Sequence, residues 1–419
     1  MLARILFLVA SLSISGALRA EQTPAEKAGF ASRLTIYLAK GAPDACGPGC
    51  DRWIAIEGEV DADAAPRIRR FLAGVKDTQR PIYLHSPGGN VEQSYVIGRL
   101  LRSRKAIARV GRTSATACTA GTQVDAACLK IKNANGEVEA ELATRNAMCN
   151  SACGYLFLGA ISREVAPDAA MGVHNSRLVL TFHGDPPPGV VAAARQRRIV
   201  TAERERTAFI AAMGISRELD DLIRTVKFES LHVLTRPELY RFGIDTRTLV
   251  ETGWTLEKGF RPSVGKFAMM KKENGAAFRI MEWRLSCENK HRVPLRFAGE
   301  IDESAVGKST IRMIAGDELN EKAEGSPVRT GKYEIWNGVV DSDMVKAMQA
   351  SGSLKVREIT PMPDDKTDTA SFDIAMTGLA SAWTQLNASC ALAALSPISP
   401  WSPIPYPKAS TTPSSAPSP

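Results

Sequence analysis

PIYLHSPGG, residues 81–89, reads as a short apolar strand that ends abruptly in Pro87-Gly88-Gly89. Apolar residues then recur at helical spacing: Val91, Tyr95, Val96, Ile97, Leu100 and Leu101. A strand that feeds a helix through two glycines is half of an alternating α/β unit, and both flanks repeat the pattern. Upstream, RWIAIEGEV (52–60) has the apolar content of a strand, and Ile68, Phe71, Leu72 and Val75 mark a helix over 64–75. Downstream, AIARVG (106–111) is a strand again. This order predicts an α/β fold whose mostly parallel sheet is joined by crossover helices.

The rhythm breaks over residues 112–146, which carry Cys118, Cys128 and the turn signal Asn133-Ala134-Asn135-Gly136. They read as an inserted hairpin or loop tied by disulfides. Residues 147–158 resume with a turn feeding a helix, short strands follow over 162–180, and a long polar helix spans 190–213. LTRPELYRFGID (234–245) is a short helix capped at Gly243. From residue 255 the character changes. FRIMEWRLSC (278–287), PLRFAGEI (294–301), YEIWNGVV (333–340) and FDIAMTGL (372–379) are short strand-like runs separated by turn residues. The division expected is a Cys-containing lead-in at 21–51, an α/β domain at 52–252, a β-rich domain at 255–395 and a tail at 396–419. That tail is rich in Pro, Ser and Thr and too polar to fold.

The compartment follows from the first residues. Arg4 precedes an apolar run from Ile5 to Leu18 that ends in small residues, so residues 1–20 have the form of a secretory signal peptide. A membrane anchor is the competing reading, but the run is shorter than the roughly 20 residues a span requires. An exported, periplasmic or secreted protein has a use for its eight cysteines, Cys46, Cys50, Cys118, Cys128, Cys149, Cys153, Cys287 and Cys390. Six precede residue 155 and two lie far beyond it, which predicts three bridges in the first domain and one in the second. The pairing among the six is left open by sequence. Cys-x3-Cys also occurs in metal sites, but no histidine stands nearby at ligand spacing, so no metal or other cofactor is expected. The formal net charge is +8, and the basic residues are scattered without interleaved aromatics. They describe a solvated surface rather than a nucleic-acid site.

AMCNSACGYLFLGA (147–160) holds the chemistry. Ser151 stands between Cys149 and Cys153 at the start of a helix-like run, flanked by small residues. It reads either as an N-cap or as a nucleophile at the positive end of a helix dipole, with the Ala152 N–H aimed at the same space. Gly88 and Gly89 read either as a packing turn or as bare backbone donors for an oxyanion. His174, in AMGVHNS, is either a satisfied core histidine or the base that a serine nucleophile requires. At i and i+4, Cys149 and Cys153 share a helix face and can staple the turn carrying Ser151. Each can alternatively pair with Cys118 or Cys128.

Taken in order, IEGEV, YLHSPGG, CNSACGYLFLGA, SREVAPDAAMGVHNS and LTRPELYRFGID resemble the Clp protease proteolytic subunit family of the ClpP/crotonase superfamily. The resemblance covers roughly residues 52–250. It implies a ClpP-like core with Ser151 as nucleophile, His174 as base, and Gly89 and Ala152 (with Gly88 alongside) as the oxyanion hole. It implies a peptide or protein substrate and a homo-oligomer. The family's third catalytic member is an aspartate, and the matching position here is Leu231, with Glu229 and His232 as the nearby substitutes. The signal peptide, the cysteine pair, the insertion and the added β-rich domain resemble exported ClpP-like bacterial proteins. An inactive binding module of the cell envelope is the alternative. A crotonase-like acyl-CoA enzyme shares the oxyanion hole but not the exported location.

Overall fold

Every side chain from Trp53 to Glu57 is buried, as expected of a strand covered on both faces. That strand is central to the larger sheet of the first half of the chain. The structure is a computed structural model. It describes residues 29–389 except 32, 135, 179, 181, 183, 259–261, 274, 276, 289–291, 302–304 and 316–326. The segment expected to be a signal peptide, the Pro/Ser-rich tail, His183, His291 and Cys390 therefore lie outside the described residues.

Ten strands build the first half in chain order. They are β1 (Thr35–Lys40), β2 (Arg52–Glu57), β3 (Ile82–His85), β4 (Ile107–Val110), β5 (Arg112–Ala115), β6 (Glu137–Ala143), β7 (Met148–Asn150), β8 (Ser162–Glu164), β9 (Ala170–Val173) and β10 (His232–Val233). The main sheet runs β5-β6-β1-β2-β3-β4-β8, and a small second sheet runs β10-β9-β7. β2, β3, β4 and β8 pair in parallel, as do β1 with β6. Helices Ala64–Gly74 and Val91–Ser103 cross over between the successive parallel strands. A parallel bridge from Ser86 to Cys149 links the two sheets just past the end of β3.

The pairing of β1 and the addition of β6 to the main sheet go beyond the sequence reading, whereas the β5–β6 hairpin falls where an inserted hairpin or loop is expected. β1 lies within the expected lead-in and pairs antiparallel with β2, Tyr37 opposite Ala55. β5 and β6 form a hairpin across the insertion, Arg112 opposite Ala143, and β6 then adds to the main sheet beside β1. Between them the helix Ala126–Lys132 is bridged to the preceding loop by Cys118–Cys128. It carries Lys132 onto the buried carboxylate of Glu57, at 3.2 Å. The Tyr37 hydroxyl and the Thr113 N–H also donate to Glu57, at 2.8 and 2.7 Å, so the buried carboxylate is fully partnered.

The helix Val91–Ser103 begins at Asn90, whose side chain accepts from the Gln93 N–H at 3.0 Å, a cap worth about 1 kcal/mol. It crosses the segment Ala152–Gly159 at two glycines. A Cβ on Gly159 would lie 2.1 Å from the Gly98 carbonyl oxygen, so the backbones touch only because both side chains are missing. All seven residues of Ala152–Leu158 are buried, which explains the uninterrupted apolar run. Tyr95, Tyr155 and Phe209 close this core with ring centroids 4.6–6.0 Å apart.

A separate apolar cluster, from Trp254 to Leu386, organises the second half. Strands Ser263–Lys271, Phe278–Ser286, Val293–Glu300 and Tyr333–Val340 pair antiparallel in succession. Thr310–Ala315, Ser353–Pro361 and Thr367–Ala375 form a second, three-stranded sheet. Helices Ser342–Ser351 and Leu379–Ser389 complete this half. Cys287 is disulfide-bonded. Among the described residues no helix is long and apolar enough to cross a membrane.

Candidate functional site

The site is assembled where β3, β7 and β9 end together. β7 lies parallel to β9, with Asn150 opposite Gly172, and the Ser151 N–H donates to the Gly172 carbonyl at 2.8 Å. The chain then turns sharply at Ser151, with φ 53° and ψ −124°, before the helix begins at Ala152. Such a backbone is costly for a residue with a Cβ, of order 1–3 kcal/mol, and persists only where surrounding contacts enforce it. Here the enforcing contacts are the β7–β9 ladder on one side and the Cys149–Cys153 disulfide on the other. Both cysteines are fully buried. The staple is thus the pairing adopted, rather than either cysteine bonding to Cys118 or Cys128. Ser151 occupies the N-cap position, yet its hydroxyl makes no capping hydrogen bond. It is left uncommitted at the helix N-terminus.

The Gly-Gly turn presses against this point. A Cβ on Gly88 would stand 2.7 Å from Ser151 Cβ and 2.8 Å from the Asn150 carbonyl oxygen. A Cβ on Gly89 would stand 2.4 Å from the Val60 carbonyl oxygen. Both glycines have positive φ, +110° and +131°. The two backbones are therefore in contact on both sides, and only glycine fits. Hydrogen bonding separates the two candidate donors. The Gly88 N–H is taken up by Ser86 Oγ at 3.2 Å. Val60 donates to the Gly88 carbonyl and accepts from the Asn90 N–H, both at 2.7 Å. In that extended pairing the Gly89 N–H takes no part in the bonds to Val60. Neither the Gly89 nor the Ala152 N–H is bonded among the described residues.

His174 follows β9 directly. Its Nδ1 lies 2.8 Å from the Asn175 carbonyl oxygen. A carbonyl can only accept, so Nδ1 carries the proton and Nε2 presents its lone pair. Burial lowers the imidazole's affinity for a proton, and the Asn175 carbonyl and the charge of Glu229 offset this only in part. The ring packs edge-on to Phe228 at 5.1 Å. Ser151 and His174 line one small apolar cavity with Tyr155, Met171, Leu219 and Ile223. Its volume, about 10 Å3, is roughly that of one water. No hydrogen bond joins the two side chains. A second, larger cavity of about 870 Å3 is lined by Gly89, Asn175, Phe182, Phe228 and the side of the helix Pro188–Ala212 that carries Arg195 and Ile199.

The other sequence candidates are placed elsewhere. Glu229 is exposed and touches His174 only through its field. His232 pairs with Val173 in the β9–β10 ladder but turns its Nε2 onto Glu238, at 3.0 and 3.1 Å. Glu238 is itself held in the capping box of the helix Arg236–Arg241. Leu231 lies over Gly172, whose Cβ position is 2.8 Å from the leucine methyls. The group that actually meets His174 Nδ1 is a backbone carbonyl, for which no side-chain identity could have signalled. His85 accepts the Met148 N–H through Nδ1 at 3.1 Å, and burial pushes its pKa down to about 4. It is a neutral structural acceptor that couples β3 to β7. Among the described residues no group of His, Cys, Asp and Glu is arranged to hold a metal ion.

No family description and no curated protein matches the chain. Solved structures similar to parts of it include the following two. Invasion associated protein B from Bartonella henselae is 16% identical, with 32% of this chain and 96% of that chain covered and a TM-score of 0.23. A mutant of the 1510-N membrane-bound stomatin-specific protease is 16% identical, with 45% and 73% covered and a TM-score of 0.27. Both likenesses are too distant to carry any conclusion about this chain, and the functional reading rests on its own residues.

Proposed function

We propose that the chain is an exported, ATP-independent serine peptidase with a ClpP-like core over residues 52–252 and an added β-rich domain over 255–395. One observation carries the reading. Ser151 is held in a strained turn with its hydroxyl free of any cap bond, in the same cavity as a histidine whose Nε2 is left as the acceptor. Three disulfides among the described residues fit the oxidising compartment that export would provide.

In this mechanism Ser151 Oγ attacks the scissile carbonyl carbon while His174 Nε2 takes the hydroxyl proton. The carbonyl electron pair moves onto oxygen, and the Gly89 and Ala152 N–H groups hold the oxyanion, each such donor being worth roughly 3–4 kcal/mol. The tetrahedral carbon re-forms its carbonyl and breaks the C–N bond, and the histidine proton goes to the leaving amine. Water, deprotonated by the same Nε2, then releases the acyl group and regenerates Ser151. A neutral carbonyl behind the histidine fixes the tautomer, but it stabilises the imidazolium less than a carboxylate. In serine proteases the loss of the buried acid costs about 10⁴-fold, so a slow enzyme is expected.

A fluorophosphonate probe tests this on mature, oxidised protein. Labelling of wild type at Ser151, lost in Ser151→Ala and His174→Ala, supports the reading. Well-folded wild type that resists the probe sinks it. That result would favour the competing reading of a non-catalytic binding module, for which the leucine at position 231 and the unbonded Ser151–His174 pair speak.

A further inference from the structure

His174 hydrogen-bonds Asn175, and Asn175, half-buried in the loop after β9, is itself held on two sides. Its N–H donates to the Val226 carbonyl at 2.9 Å. Its Oδ1 accepts the Ser176 N–H at 2.9 Å and Arg206 Nη1 at 3.3 Å. Arg206 is 3% exposed, in the helix Pro188–Ala212, and its Nε bonds Asp220 Oδ1 at 2.6 Å. Asp220 is 0% exposed, in the helix Arg217–Thr225, and its Oδ2 accepts from Thr207 Oγ1 at 2.6 Å and Arg224 Nη2 at 2.9 Å. Val226 caps that same helix. Both anchors of Asn175 thus come from one helix pair, locked together by a buried ion pair.

Burying such a pair is expensive. Each ion loses its hydration, and well-packed apolar residues of equal volume would hold two helices at least as well. What apolar residues cannot do is donate to Asn175 Oδ1. We propose that Arg206, fixed by Asp220, is a positioning residue for catalysis. It holds Asn175 so that the Asn175 carbonyl keeps His174 Nδ1 protonated and its Nε2 turned toward Ser151. The pair does, through a backbone carbonyl, the orienting work that an acid does in a Ser-His-Asp site. The inference rests on the serine-peptidase reading and specifies how its base is aligned.

The test is the rate of Ser151 labelling by a fluorophosphonate across pH, in wild type, Arg206→Met, Asn175→Ala, Asn175→Asp and the Arg206→Met/Asn175→Ala double variant. A misplacement near 1 Å costs about 10²-fold, so Arg206→Met and Asn175→Ala should each label about 10²-fold more slowly. The double variant should be no slower than either single one, because both break one link. Asn175→Asp keeps the acceptor for Arg206 and should label near the wild-type rate. Nitrogen chemical shifts of His174 should show the Nδ1–H tautomer in wild type and a mixture in Asn175→Ala.

Multiplicative rates in the double variant, or an Asn175→Ala protein with the wild-type rate and tautomer, overturn the inference and leave the peptidase reading standing. Wild type that is folded but unlabelled overturns both. If Arg206→Met does not fold, because Asp220 is orphaned, the Asn175→Ala and Asn175→Asp pair decides the matter alone.

Discussion

Replacing Gly88 by alanine should disable the site at a point that touches no substrate side chain. A Cβ there would stand 2.7 Å from Ser151 Cβ, 2.8 Å from the Asn150 carbonyl oxygen and 3.0 Å from the Ala152 nitrogen. All three belong to the turn that presents the hydroxyl, so the collision can be relieved only by moving that turn. The backbone at φ +110° adds strain of about 1–3 kcal/mol for any residue with a Cβ. Overpacking against a braced turn adds about 1–3 kcal/mol more. The combined cost, about 2–6 kcal/mol, is a large fraction of the 5–15 kcal/mol typical of folded domains. Gly88→Ala should therefore unfold at lower urea and label with a fluorophosphonate at least about 10²-fold more slowly than wild type. Gly74→Ala is the control. A Cβ on Gly74, the last residue of its helix, meets nothing within 4 Å, so that variant should match wild type or gain slightly. A folded Gly88→Ala protein with wild-type stability and labelling would refute the close contact between the Gly-Gly turn and Ser151.

The staple and the buried histidine give two further outcomes. The Cys149–Cys153 bridge spans four residues in sequence, and in the chain-entropy picture closing so short a loop is worth about 2 kcal/mol. The Cys149→Ala/Cys153→Ala double variant should lose at least about that much in urea unfolding and label more slowly, and unchanged values in both would remove the staple's role. His85 stays neutral in the fold down to about pH 4, whereas in the unfolded chain it takes up a proton below 6.5. Unfolding thus binds a proton in that window, and stability falls as pH drops from 6.5 to 4, by about 3 kcal/mol in all. His85→Asn retains an acceptor for the Met148 N–H but cannot titrate, so its stability relative to wild type should improve by that amount between pH 7 and 4. A constant difference across the range would show that His85 is not the titrating group.

Much of the site was legible in the chain because it is encoded locally. PIYLHSPGG reads as strand and glycine turn from a handful of neighbours, and Val91 to Leu101 reads as helix from its own period. Ser151 is marked in the chain by its place between Cys149 and Cys153 among small residues. The antiparallel pairing of β1 with β2 and the addition of β6 to the sheet were not legible. A six-residue strand chooses its partner by where distant segments happen to pack, not by anything within it. The helices Ser342–Ser351 and Leu379–Ser389 lie among strand-like runs that carry the stronger local pattern.

The letters of the chain carry the alternation of elements, the small residues at the two turns, and the serine and histidine proposed as nucleophile and base. How they are supported follows from the packing of distant segments. The same six cysteines admit many pairings until proximity selects Cys46–Cys50, Cys118–Cys128 and Cys149–Cys153. Gly88 and Gly89 look equivalent until Ser86 takes the N–H of one and leaves the other open. Every residue has a carbonyl, so nothing in the letters marks that of Asn175 as the partner of His174. Nor does anything mark an arginine and an aspartate fourteen positions apart as a buried pair whose arginine reaches the Asn175 side chain. Hydrogen bonds to the backbone depend on position rather than side-chain identity, and position is what folding supplies.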